Sequence, residues 1–282
     1  MKIAVIGLGL IGGSIARALK NKTEHTVLGW NRTEQTLCKA KLIGAIDEPL
    51  TDETLGECDA VFIALYPKLT IDWLAAHAPL LKKGAMVIDT CGVKQAVCPP
   101  CFALAEQYGF DFLGGHPMAG RERFGYGSSL ETMFDGASMV LTPVPGGAAD
   151  AQARAQALLA PLGFSRFCVC TPEQHDRMIA YTSQLAHVVS SAYVQSGTAL
   201  SHVGFSAGSF QDMTRVARLY EPMWTELFLD NAEPLLLELD GLIERLGAFS
   251  DAIRRRDGAA LYALLHAGRM QRERVTELEG RA

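Results

Sequence analysis

The sequence opens on an apolar run, Lys2–Gly7, stopped by the glycines of Gly7-Leu-Gly9-Leu-Ile-Gly12-Gly13, and continues into a helical pattern from Ile11 to Lys20. No other feature restricts the fold as tightly. A strand, a G-x-G-x-x-G turn and a helix follow one another, and a second strand-like stretch stands at Thr26–Trp30. That succession is the first β–α–β unit of a parallel sheet that binds a dinucleotide. Gly7 permits the tight turn, Gly9 lets a pyrophosphate approach the backbone, and Gly12 lets helix and strand pack closely. The helix that the loop opens offers free N–H groups and a dipole that suit phosphate. Gly7, Gly9, Leu10, Ile11 and Gly12 are therefore the expected cofactor loop. The competing reading is a plain glycine-rich turn.

Strand-like runs recur at Ala60–Leu65, Ala85–Asp89, Phe112–Gly115, Ser138–Thr142 and Arg166–Val169, with helical stretches such as 70–82 and 149–161 between them. Apolar strands alternating with helices predict an α/β, Rossmann-type, mainly parallel sheet covered on both faces. After Cys170 the pattern changes. Thr171-Pro172-Glu173 is a helix start: a capping threonine, proline at the first helical position and an acid in the first turn. Helical periodicity follows over 172–199, 209–220, 222–247 and 258–278, punctuated by Gly204, Gly208, Pro222 and Gly247. A chain of 282 residues accommodates two domains. The expected division is a dinucleotide-binding domain over 1–170 and an all-helical domain over 171–282.

The net charge is -5 with both signs dispersed, so no basic surface for nucleic acid and no polybasic membrane patch is expected. The N-terminal apolar run is too short and too broken by glycine for a signal peptide, and no stretch reads as a bilayer span. A cytoplasmic protein is expected. Seven cysteines, an odd number, argue against a disulfide framework. Cys98-Pro-Pro-Cys101 has redox-motif spacing, but no second pair stands at zinc-site spacing. Buried reduced thiols are the simpler account there and at Cys168 and Cys170, and no metal is expected.

The end of the second strand selects among nicotinamide cofactors. An acid there binds the ribose hydroxyls of NAD. This chain has Asn31-Arg32-Thr33 instead. Asn31 and Thr33 can hydrogen-bond a phosphate and Arg32 can pair with its charge, so NADP is preferred over NAD. The alternative is that Arg32 is a solvated loop residue. Further along, Asp89-Thr-Cys-Gly92-Val-Lys94 and Gly114-Gly-His116-Pro-Met-Ala-Gly120-Arg-Glu122 stand where strands end, the ligand side of an open α/β sheet. His116, aimed by a strand end and followed by proline, is the leading candidate to accept a substrate proton.

These segments, with L-x-H at 185–187 and F-Q-D-M-T-R-V-A before P-M-W, resemble the prephenate/arogenate dehydrogenase family, in order from residue 3 to residue 224. The resemblance implies oxidative decarboxylation of prephenate to 4-hydroxyphenylpyruvate with hydride transfer to NAD(P), in tyrosine biosynthesis, or the same reaction on arogenate. It implies a homodimer paired through the helical domain. It casts His116 as the proton acceptor, Arg215 as the carboxylate binder with Asp212 orienting it, and His187 as a substrate-positioning histidine. Gly92, Glu122 and Trp224 also fall at substrate-site positions. Two departures stand out: many members carry serine where Gly92 stands, with Thr90 or a water as the expected replacement, and many carry H-L-P-H where this chain has Gln184-Leu-Ala-His187. Cys91 is a nearby thiol with no assigned role. His175-Asp176 reads as helix-initiating structure, not as a dyad. Bland alternatives are a core histidine at His187, an exposed ion pair at Asp212–Arg215, and core or dimer packing at Trp224. Rival functions are a β-hydroxyacid or imine reductase relative, whose usual catalytic lysine motif is not evident, and a non-catalytic NADP sensor.

Overall fold

The structure, a computed structural model, describes all residues except Glu122, Ala148 and Ala282, and of Ala149 and Arg281 the backbone only. Its frame is the glycine-loop unit expected from the sequence: β1 (Lys2–Ile6), α1 (Leu10–Lys22) and β2 (Thr26–Trp30), with β1 and β2 parallel from Lys2 opposite Thr26 to Ile6 opposite Trp30. There follow α2 (Glu34–Leu42), the two-residue β3 (Glu48–Pro49), α3 (Asp52–Leu55), β4 (Ala60–Ile63), α4 (Pro67–His77), β5 (Met86–Asp89), α5 (Cys98–Tyr108), β6 (Asp111–Pro117), β7 (Ser138–Pro143), α6 (Ala149–Leu159) and β8 (Arg166–Val169). The sheet order is β3-β2-β1-β4-β5-β6-β7-β8. All pairings are parallel except β6 with β7, because the 118–137 connection turns the chain back at the strand end without a crossover.

The strand order reverses at β1, between β2 and β4, and the crevice beyond these strand ends is the expected ligand position. The central strands β1, β4 and β5 and most of β6 are buried on both faces, which explains their continuous apolar runs, whereas the outer β3 and β8 are largely exposed. One face packs under α1 and α6 around Ile15, Leu19, Phe134 and Leu159; the other holds Trp73, Cys98, Cys101, Phe112 and Leu227.

After β8 the described chain is helical. The Thr171 hydroxyl accepts from the Gln174 N–H and the Gln174 side chain returns the bond, so α7 (Pro172–Ile179) starts where the sequence places it. The expected single helix over 172–199 is instead α7, a π-turn at Ala180–Gln184, and α8 (Leu185–Val194). α9 (Gly208–Thr214) continues as a 3₁₀ turn at Arg215–Ala217. The expected helix 222–247 is broken at Asn231 into α10 (Glu221–Asp230) and α11 (Ala232–Arg254), because the Asn231 side chain turns inward to bond other segments. Gly247 lies inside α11 and does not end it; the chain turns before α12 (Gly258–Arg281).

The chain packs as two compact units, Met1–Ala232 and Glu233–Ala282. Helices α7 to α10 thus belong to the same unit as the sheet. No helix among the described residues is long and apolar enough to cross a membrane.

Candidate active site

The glycine loop has the shape its sequence requires. Gly7 adopts φ +88°, and a Cβ there would meet the Ala64 carbonyl oxygen at 2.5 Å. A Cβ on Gly12 would lie 1.9 Å from the Gly7 carbonyl oxygen, so helix and loop touch through bare backbone. Around Gly9 the space is open: nothing described lies within 4 Å of a Cβ placed there. Gly9 caps α1 with no side-chain hydrogen bond, and the first turn, Leu10 and Ile11 included, holds no acid. The helix therefore presents unsatisfied N–H groups to an approaching anion. These residues fit a dinucleotide pyrophosphate.

The β2 end differs in one detail from expectation. Asn31 Oδ1 accepts from the Leu8 N–H at 3.1 Å and its amide donates to the Thr33 carbonyl at 3.3 Å, so Asn31 braces the loop instead of reaching outward. Arg32 and Thr33 are exposed at the tip, and the nearest acid is Glu34, already inside α2.

His116 lies within β6, one residue further along the strand than its expected end, and is half-buried rather than exposed. Its Nδ1 stands 2.9 Å from His175 Nε2, and His175 Nδ1 stands 2.6 Å from Asp176 Oδ1. The reading of His175-Asp176 as mere helix-initiating structure is thus corrected. His175 and Asp176, buried midway along α7, form a hydrogen-bonded series with His116. The proton positions follow from chemistry. A carboxylate only accepts, so His175 carries its proton on Nδ1; its Nε2 then accepts from His116 Nδ1–H; His116 Nε2 is left as a lone pair. Burial first, then the His175 ring and the Lys94 charge, hold His116 well below the ordinary imidazole value of 6.5. Burial also lowers His175, against the opposing pull of Asp176.

Asp176 is anchored in turn. Its carboxylate accepts the Lys94 N–H at 2.7 Å and the Gln95 N–H at 2.8 Å. Lys94 and Asp89 are both fully buried and paired at 2.5 Å. Asp89 also accepts the Cys91 N–H at 2.8 Å and the Gly115 N–H at 3.1 Å, next to His116. Burial is the largest single influence and would lower the Lys94 ammonium, but the Asp89 charge and hydrogen bond, together with the neighbouring Cys91 and Cys98, lift Lys94 above its ordinary value. Two glycines make room for this pair. A Cβ on Gly114 would strike Thr142 Oγ1 at 2.0 Å and approach the Lys94 stem at 3.1 Å, and one on Gly115 would strike the Asp89 carbonyl at 2.5 Å.

The position of Gly92 borders His116. A Cβ there would lie 3.9 Å from His116 Cε1 and 3.4 Å from the Leu227 side chain of α10. Thr90 does not substitute for the missing serine: its hydroxyl points to the Ile63 carbonyl at 3.4 Å, and the His116 Nδ1 partner is His175. Trp224, also on α10, stacks on His187 with ring centroids 3.9 Å apart, and His187 Nδ1 is 2.8 Å from the Ser183 carbonyl. The 3₁₀ turn that starts at Arg215 packs on α8, the helix of His187. Asp212 and Arg215 are exposed, at the end of α9 and the start of that turn. Glu122 lies outside the described residues. Gln184 is buried, and its amide donates to the Leu227 carbonyl of α10.

Cys58, Cys91, Cys98 and Cys101 are buried thiols, as expected, but Cys168 is exposed and Cys170 half-buried, because β8 is the last strand of the sheet and one side of it is uncovered. All seven are free. Burial raises Cys91 far above the usual thiol range, pushes Cys98 up to about 12 and raises Cys101 further. No group of metal-ligating side chains occurs among the described residues.

Sequence reasoning missed His175, Asp176, Asp89 and the side chain of Lys94 as parts of the site. The signal was present in part: a His-Asp pair shortly after a helix cap and charged residues within D-x-x-G-V-K. Their burial and mutual bonding are tertiary facts.

The family model described as the prephenate dehydrogenase nucleotide-binding domain matches residues 15–165, and the one described as the prephenate dehydrogenase dimerization domain matches 171–267. The chain belongs to the prephenate dehydrogenase family. It is 32% identical to a cyclohexadienyl dehydrogenase of Zymomonas mobilis, over 97% of this chain and 94% of that one. Among solved structures it is similar to the prephenate dehydrogenase of Aquifex aeolicus in complex with hydroxyphenyl propionate and NAD+, at 25% identity, TM-score 0.85 and 98% coverage of both chains. It is also similar to the Synechocystis arogenate dehydrogenase, at 29% identity and TM-score 0.82, over 98% of this chain and 100% of that one.

Proposed function

We propose that this chain catalyses the oxidative decarboxylation of prephenate to 4-hydroxyphenylpyruvate. The observation that carries the reading is the Asp176–His175–His116 series, which leaves His116 Nε2 as a hydrogen-bond acceptor beside Gly92 at the strand ends. A nicotinamide dinucleotide held at Gly7, Gly9, Leu10, Ile11 and Gly12 supplies the hydride acceptor. His116 Nε2 holds the proton of the ring hydroxyl while carbonyl character develops at that carbon. It returns the proton to the same oxygen as loss of carbon dioxide makes the ring aromatic, so no net proton is released. An imidazole that resists permanent protonation suits this loan.

Arg215 binds a substrate carboxylate through its planar fork, with Asp212 orienting it, and Glu122 keeps the substrate-site role that its place in the family motif implies. His187 and Trp224 form a stacked wall that positions the ring. NADP is the preferred cofactor: Arg32 and Thr33 are exposed at the β2 tip and no acid stands there for the ribose hydroxyls. We assign substrate handling and dimerisation to 171–282 and dinucleotide binding to 1–170, and read the protein as a homodimer. Seven free thiols suit the reducing cytoplasm.

The likeness to an arogenate dehydrogenase supplies a second reading, the same chemistry on the amino form of the substrate. Initial rates with prephenate and arogenate, each against NADP and NAD, test all of this. Turnover of prephenate, faster with NADP, is the expected result. Turnover of arogenate alone moves the substrate and keeps the site. No turnover in any mixture, by folded protein that binds cofactor, sinks the reading.

A further inference from the structure

His175 and His187 stand twelve positions apart on what the sequence presents as one helix. An uninterrupted α-helix turns about 100° per residue, which would place them roughly 120° apart on its surface. The π-turn at Ala180–Gln184, closed by the Leu185 N–H on the Ala180 carbonyl, absorbs one residue. The effective separation becomes eleven residues, and the angle falls to about 20°. The π-turn thus brings His187 onto the helix face that carries His175.

Buried amide groups hold that turn. Gln184 is its last residue. Its Nε2 donates to the Leu227 carbonyl of α10 at 3.0 Å, and its Oε1 accepts from Asn231 Nδ2 at 2.7 Å. The same Asn231 nitrogen donates to the Asp176 carbonyl at 2.9 Å. Asn231 therefore bridges the helix before the turn to the last residue of the turn, and Gln184 ties the turn to the helix bearing Trp224. Both side chains are about 1% exposed. Losing either leaves buried polar groups unpaired, a cost that maintains the irregular turn against the regular helix.

We propose that Gln184 and Asn231 are positioning residues for substrate binding, which lock the π-turn and so set the direction of His187 against Trp224. The proposal rests on the reading of His187 as a substrate-side residue. It also gives the Gln184 departure from the H-L-P-H pattern a purpose.

The test is Gln184→Met, which keeps the volume and removes both bonds, measured in the wild-type and His187→Ala backgrounds. The expected result is a KM for prephenate raised roughly tenfold with kcat changed less than about twofold, and no further change once His187 is alanine. Equal losses in both backgrounds overturn the proposal. Deleting Thr182 in the Gln184→Met chain shortens the segment by one residue, lets an ordinary α-helix restore the angle, and should recover KM; failure to recover counts against it. If Gln184→Met does not fold, the double change Gln184→Met with Asn231→Leu removes both polar partners and serves in its place. A readout free of turnover is the contact quenching of Trp224 fluorescence by stacked His187, taken as the difference from His187→Ala and isolated by subtracting a Trp224→Phe variant. Quenching should vanish in Gln184→Met. Unchanged quenching overturns the inference even if the wild type turns over no substrate, which would separately refute the proposed reaction.

Discussion

At His116 the protonation state is set from Asp176 outward, through two hydrogen bonds of 2.6 and 2.9 Å. Asp176→Asn replaces an acceptor-only group with one that can donate, so His175 and then His116 can adopt the other tautomer. Turnover should fall about 10²- to 10⁴-fold with cofactor affinity unchanged, read by steady-state rates and a cofactor titration. A drop below tenfold would mean that the series does not govern the base. The same residues make stability depend on pH. His116 and His175 are both held below 6.5 in the folded chain, so the unfolded chain binds more protons as pH falls past that value. Their contribution is complete above about pH 6.5 and is lost as pH drops toward the lower folded values. Urea midpoints at about pH 7.5 and about pH 5.5 should show the loss, and His116→Asn should shrink it. These residue types are visible in the sequence; that His175 reaches His116 is not, because 59 positions separate them.

Elements explain why a charged pair is buried beneath the site. β5 ends in Asp89, the following loop returns Lys94 to it, and β6 offers Gly114 where a side chain would crowd the lysine stem and Gly115 where one would strike the Asp89 backbone. The glycines of G-G-H-P thus serve the pair as well as the strand. Lys94→Met leaves Asp89 buried and unpaired and should cost about 3–5 kcal/mol of stability. Adding Asp89→Asn should recover most of that, since the asparagine oxygen still accepts a backbone N–H. Denaturant titrations of the three proteins decide the point: equal midpoints for wild type and Lys94→Met would show that the pair carries no stability. At this scale the strands and the α7 start were legible, because apolar runs and a Thr-Pro cap are local signals. The π-turn and the break at Asn231 were not, because both are held by side-chain bonds between helices.

For the whole molecule, α11 exposes Leu236, Ile243, Leu246 and Ile253, each more than half accessible. With Leu239 they follow a heptad spacing along one stripe, the pattern of a helix that packs against another. Together with the match to the family's dimerization domain over 171–267, this supports a homodimer. Light scattering should give twice 30.5 kDa. Ile243→Glu with Leu246→Glu should yield monomer with a lowered melting temperature, whereas a wild type that is monomeric at micromolar concentration would refute the assembly.

The sequence by itself determined the glycine loop, every strand but the two-residue β3, the change to helix after residue 170 and the family, since these are written in local periodicity and contiguous motifs. It also singled out His116, which a strand end had to present at the ligand side of the sheet. Only the tertiary structure decided that Asp176 and His175 orient that histidine, that Lys94 and Asp89 lie buried behind it, and that Gln184 turns His187 toward Trp224. Each of these depends on a buried polar group finding its partner across a distance the chain closes only when folded, and periodicity carries no record of such pairings.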